Sequence, residues 1–273
     1  MRQEEQNGGP RDVSDASLRA RWKAGPPLVG FFTRLRDSAA YEILAKTSTD
    51  FIIIDVEHGS FDRALLAECL LAGRAHGLPM LVRVPDENES TIQHSIGVGA
   101  DGIIVPHISS AQTIERIVAF VRTRGVERAY AGATRISTYR RDSWSEFNAR
   151  EAGRILVIAQ IDEPPGIAAA QDIVSVMGLD GVFLGQIGLT LALGGDARAS
   201  EAALDGVCRT TMASNLLIGL SLPDERMATA WHRRGVRLFA IDSDQGLLKS
   251  AADARANLFR SSIETNGNQA RES

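Results

Sequence analysis

Residues 51–62 read FIIIDVEHGSFD. Four apolar residues, three of them isoleucine, run straight into Asp55, Glu57 and His58. An unbroken β-branched run of this kind suits a strand buried on both faces, as in parallel sheets covered by helices. The polar residues then fall where the strand would end. Two readings are open: a strand entering an ordinary polar turn, or a strand delivering chemical groups to the edge of a site.

Working outward, the same pattern recurs at 27–33, 80–84, 102–106, 155–161, 181–185, 216–222 and 237–242, which makes eight candidate strands. The intervening segments suit crossover helices. In AQTIERIVAFVR, Ile114, Ile117, Val118 and Val121 recur at i, i+3, i+4 and i+7, with Ser110 placed as N-cap. The segments 62–77 and 224–235 each end at a glycine before the next apolar run. Eight β units with helices between them predict a (β/α)8 TIM barrel, one domain over 15–261. The polar stretches 1–14 and 262–273 read as flexible tails. No G-x-G-x-x-G follows the first strand, so a doubly wound sheet is disfavoured and no nucleotide cofactor is expected.

Composition narrows the class. The chain has 273 residues, is 44% hydrophobic and carries a net charge of −4 with mixed signs, which gives no footprint for nucleic acid or an anionic membrane. No apolar run nears the roughly 18 residues of a membrane span. The N-terminal stretch lacks a signal-peptide apolar core, so a cytoplasmic protein is expected. Cys69 and Cys208 lie far apart and read as buried apolar residues.

Barrel active sites sit at the C-terminal ends of the strands. Strand two closes with Asp55, Glu57 and His58, and strand three with Arg83. Strand five closes with Gln160, Asp162 and Glu163, and strand six with Gln186. An arginine on a buried strand is a fork for a carboxylate, and a histidine at a strand end can move protons near neutral pH. Clustered acids could hold a hard cation. The set suits a small anionic 2-keto acid. Each residue also has a structural reading: Asp55 as a turn cap, Arg83 as the counter-ion of Asp55 or Glu57. His107, Ser221 and Asp242, with Asp244 nearby, are isolated polar residues and read as structure. The 123–150 connection is long and basic, with Arg128, Arg135, Arg140 and Arg141.

Several of these stretches resemble the HpcH/HpaI aldolase family, metal-dependent pyruvate aldolases. DFIIIDVEHGSFD, LVRVPDENESTIQHSIGVGADGIIVPHISSAQ, VIAQIDEPPGI, GLDGVFLGQIGLTLALG and FAIDSDQGLLKSAA are similar to its ordered motifs from about residue 28 to 258. The resemblance implies a barrel whose terminal helix is exchanged between subunits, in a homo-oligomer of trimer or hexamer type. It implies carbon–carbon lyase chemistry, aldolase or decarboxylase, through a pyruvate-like enolate on a divalent ion, Mg²⁺ or Mn²⁺. By matching position, His58 is the base, Arg83 grips the keto acid, Asp55 belongs to the same cluster, and Gln160 and Gln186 line the pocket. Three positions depart. The first metal-binding Glu is Asp162, the second metal ligand is Gly188, and the Asp that partners the histidine is Gly97. Glu163 would point away from the Asp162 side by strand alternation. Asp196 is another candidate ligand, and the 123–150 arginines are candidate substitute cations. Two further readings stay open: a metal-independent enzyme of a specialised biosynthetic pathway with different C–C chemistry, and a non-catalytic chain that binds a carboxylate ligand or partner.

Overall fold

Every one of the eight apolar runs forms a strand in the computed structural model, which describes residues 17–151, 153–222 and 225–269. They are β1 (Leu28–Thr33), β2 (Phe51–Asp55), β3 (Met80–Arg83), β4 (Gly102–Val105), β5 (Leu156–Ile161), β6 (Gly181–Leu184), β7 (Leu217–Ser221) and β8 (Leu238–Ser243). Each pairs in parallel with the next, and β1 pairs with β8, so the sheet closes into a barrel. This is the TIM barrel that the sequence pattern predicts.

Strand alternation sorts the apolar residues into two cores. Ile52, Ile54, Met80, Val82, Ile103 and Val105 face the helical layer. Ile53, Leu81, Ile104, Ile158, Phe183 and Leu238 fill the barrel interior. Most strand residues are covered on one side or the other, so apolar residues make up the body of each strand and polar ones such as Asp55, Arg83 and Gln160 gather toward the C-terminal ends. Cys69 and Cys208 are buried and unpaired, and burial pushes their thiols up to about 11 and about 12.

A short helix, Leu18–Ala24, crosses the N-terminal end of the barrel. Ser17 caps it by accepting from the Ala20 N–H. Leu18 and Trp22 are buried with the interior residues. Arg21 pairs with Asp50 just before β2 at 2.7 Å, while Arg19 pairs with Asp180 just before β6 and donates to the Ile155 carbonyl at 3.1 Å. These bonds fix the helix across the strand starts.

Two expectations change. The last helix runs Asp244–Gln269, through residues 262–269, where composition alone reads as tail. Once a helix is nucleated each added residue gains a backbone bond, and Ser262 also donates to the Leu258 carbonyl. Residues 1–14 and 270–273 lie outside the described residues. The 123–150 connection folds as short helical pieces on the flank of the barrel, where Tyr130, Trp144 and Phe147 cluster with ring centroids 5.3–6.1 Å apart.

Candidate active site

The alternation that fills the interior also builds the mouth. Two residues beyond interior Phe32, Ile53, Leu81 and Ile158 stand Arg34, Asp55, Arg83 and Gln160, and two beyond Gln160 stands Asp162. Alternation turns Asp55, Arg83 and Gln160, which lie within their strands, toward the top of the barrel. Arg34 and Asp162 follow at the ends of β1 and β5 and line the same mouth. Asp55 and Arg83 are register partners on β2 and β3.

Asp55 is fully buried and holds two guanidiniums. Arg83 donates to it through Nε at 3.0 Å and Nη2 at 2.7 Å, and Arg34 donates through Nε at 2.6 Å. The His58 backbone N–H adds a fourth bond at 3.2 Å. Burial alone would raise the Asp55 pKa, but the Arg83 bonds and charge, then Arg34 and the His58 N–H, bring it below the usual carboxylate range. The anionic form of Asp55 is thus favoured beneath the site. It orients Arg83, which is also braced by Glu57 at 3.1 Å, the Gln160 oxygen at 3.4 Å and the Phe32 ring at 4.7 Å. Arg34 is fixed in turn by Asp244, which accepts from the Arg34 and Leu35 N–H groups.

Around this base lies a cavity of about 310 Å³. His58 lines it with its side chain 58% exposed, and its nearest carboxylate is Glu57 at 3.9 Å. Gln160 lines it too, donating to Asp162 at 2.6 Å. Gln186, Ser221 and the apolar Phe32, Phe183 and Leu191 also line it. The pattern therefore places His58, Arg83, Gln160, Gln186 and Asp162 together, with Asp55 under them.

His107 does not read as a site residue in sequence, yet it belongs here. β4 ends at Val105, Pro106 stops the ladder, and His107 takes φ 55°. Its Nε2 lies 2.8 Å from Glu57, and its Nδ1 lies 3.3 Å from Asp162 and 3.4 Å from Glu163. Burial opposes its charge, but Asp162, Glu57 and Glu163 outweigh burial and raise its pKa. Ser221 likewise lines the cavity.

Other expectations need correction. Glu163 does not point away, because β5 ends at Ile161 and alternation no longer governs it. Asp196 is used as an N-cap, accepting from Arg198 and Ala199. Arg128, Arg135, Arg140 and Arg141 do not line the mouth, since the 123–150 segment packs on the flank. Gly97 lies in helix Glu89–Gly97 against the Thr134 side chain and is not among the residues lining the mouth.

The metal expectation can be tested on the donor set. Asp162 keeps one buried oxygen, Oδ1, without a hydrogen-bond partner. Gly188 stands beside it, since a Cβ there would lie 3.4 Å from the Asp162 Cβ, but glycine supplies no ligand. Among the described residues no group of three or more His, Cys, Asp or Glu is arranged to hold an ion. The residues present therefore do not form a fitting divalent-metal site by themselves. Asp55, Glu57, Asp162 and Glu163 nevertheless outnumber Arg34 and Arg83 by two charges. His107, which lies between Glu57 and Asp162 and whose pKa these acids raise, is placed to reduce that excess.

A closed parallel barrel with an arginine–carboxylate pair and histidines at its mouth defines a barrel with the layout of an enzyme site. The family model described as HpcH/HpaI aldolase/citrate lyase matches residues 28–254, and the chain belongs to that family. It is 28% identical over 254 residues to a hydroxypyruvate/pyruvate aldolase of Delftia acidovorans, covering 91% of this chain and 94% of that one. A solved HpcH/HpaI family protein from Burkholderia cenocepacia is similar at TM-score 0.81 and 26% identity, over 89% of this chain and 98% of that one. The citrate synthase SbnG is similar at TM-score 0.79 and 26% identity, over 91% and 99%.

Proposed function

We propose that the chain is a carbon–carbon lyase of aldolase type acting on a small 2-keto acid. The observation that carries this reading is the buried Arg83–Asp55 pair opening onto a cavity that His58 and His107 also line. The aldolase and citrate synthase names among the relatives support it.

In this reaction Arg83 binds the keto-acid carboxylate through the guanidinium edge not committed to Asp55. Asp55 holds that edge in place. His58, the exposed base, takes the proton from the hydroxyl on the carbon to be cleaved. The C3–C4 bond breaks, its electron pair becomes the enolate of the keto acid, and an aldehyde leaves. Returning the proton to C3 yields the free keto acid. Arg83, with His107 beside it at the mouth, faces the negative charge as it develops.

Proton exchange between the methyl group of pyruvate and D₂O, followed by NMR, tests enolate formation without needing the aldehyde. Oxaloacetate decarboxylation and pyruvate–aldehyde condensation extend the test. Exchange lost in Arg83→Gln protein that remains folded supports the reading. No exchange and no cleavage, with Mg²⁺, Mn²⁺ or chelator, overturn it.

Gly188 favours a second reading, in which C–C chemistry runs without a resident metal. Turnover that survives exhaustive chelation supports it, and strict dependence on added ion removes it.

The association of copies through the last helix belongs with the same proposal. Leu248, Phe259 and Ile263 are exposed and fall within about a sixth of a turn of one another on that helix. A row of large apolar residues on an extended helix suits a second copy of the chain as its cover.

A further inference from the structure

A second cavity, of about 430 Å³, lies on the flank and shares no lining residue with the mouth. Its size falls within the roughly 300–1,000 Å³ of ligand pockets. Ser90, Gln93, His94 and Gly97 line it from helix Glu89–Gly97. Their i, i+3, i+4, i+7 spacing puts them on one helix face. Arg63 joins from the start of helix Arg63–Ala75, and the 126–140 segment adds Arg128 and Arg135.

Charge is what distinguishes this cavity. Three guanidiniums line it and no carboxylate does. Elsewhere Arg34, Arg83, Arg122 and Arg154 each meet a carboxylate. Among the described residues none of Arg63, Arg128 and Arg135 forms an ion pair. Arg63 donates to the Ser90 hydroxyl at 2.6 Å. Arg135 donates to the carbonyls of Ala67 at 2.6 Å and Val98 at 3.4 Å. Arg128 stacks over the Phe120 ring at 5.6 Å. A guanidinium has five N–H donors, so each retains several. His94 donates through Nε2 to the Arg63 carbonyl at 2.9 Å. Burial favours its neutral form, which leaves the positive charge to the arginines.

The cavity wall is also held in an unusual conformation. Thr138, Tyr139 and Arg140 are consecutive non-glycine residues with φ of 47°, 57° and 62°. Backbone of this kind is costly and concentrates at ligand clamps. Gathering three like charges around one cavity is itself unfavourable until an anion enters.

We propose that this flank cavity binds a small dianion, one carrying a phosphate group or a pair of carboxylates, held by Arg63, Arg128 and Arg135. Guanidinium forks match both groups bidentately. The site is independent of the reaction at the mouth. It touches the helices that follow β2 and β3, the strands carrying Asp55 and Arg83.

The test is calorimetry on the full chain at low salt, with inorganic phosphate and, separately, malonate as probes. Saturable binding of either is expected, weakened about tenfold or more by Arg128→Gln, as removal of a charge-assisted contact requires. The preferred probe identifies which group the site takes. Excess pyruvate should leave the affinity within about twofold, since the two cavities share no residue. Should Arg128→Gln lose its thermal transition, Arg63→Gln serves as the second variant. No saturable binding of either probe, equal affinity in the folded variants, or displacement by pyruvate would each overturn the proposal.

Discussion

In the proposed site Arg83 is held chiefly by Asp55, with two bonds at 3.0 and 2.7 Å. Replacing Asp55 with Asn leaves two guanidiniums without their shared counter-ion, one of them buried. Breaking such a pair costs about 3 kcal/mol or more, and denaturant unfolding should show that loss. The sign of the pH dependence follows from the lowered Asp55 pKa. A depressed carboxylate contributes stability fully above its unfolded value, near 3.9. That contribution is lost as pH falls through the folded value, so acid melting should be shallower in Asp55→Asn than in the natural chain. The two histidines separate by role. His58→Gln should slow pyruvate proton exchange about a hundredfold with little change in KM. His107→Gln removes the ring that bridges Glu57 and Asp162 and whose pKa they raise, so its main effect should be a higher KM for the keto acid. Steady-state kinetics on both variants distinguish the two patterns, and an identical loss in both would count against this division.

At the scale of elements, the ends of β5 and β6 decide the metal question. Gly188→Asp sets a second carboxylate beside Asp162, where the backbone leaves room. Mn²⁺ titrated into that variant should bind about tenfold more tightly or better than into the natural chain. Unchanged affinity would show that position 188 is not the missing ligand. Gly185 is less permissive, because any Cβ there would collide with Asp162. The strands are legible in the sequence because burial on both faces removes polar residues from most of their length. Asp55, Arg83 and Gln160 are legible for a related reason, each lying two positions past an interior residue. Arg34 obeys the same rule but has no neighbouring motif to draw attention to it. His107 is not legible, because its direction depends on a left-handed backbone after Pro106. Glu163 misleads, since alternation stops where the strand does. The grouping of Arg63, Arg128 and Arg135 is a packing result between segments more than sixty residues apart, and no local pattern announces it.

At the scale of the whole molecule, the last helix leaves the barrel after packing on β1 and β8. Its apolar row predicts that light scattering will find an oligomer, and that deleting residues 255–273 will shift it toward monomer without loss of the barrel's circular dichroism. An unchanged mass would place the contact elsewhere. The opposite end of the molecule has a different consequence. Leu18 and Trp22 close the strand starts, and the interior beneath Phe32 and Phe183 is filled with side chains. Traffic therefore uses one doorway. In the proposed cleavage the aldehyde forms on the doorway side and the keto acid lies deeper, against Arg83. The fragments must depart in a fixed sequence, aldehyde first. The keto acid should then act as a competitive product inhibitor and the aldehyde as a noncompetitive one, a kinetic signature set by a small helix on the far side of the barrel.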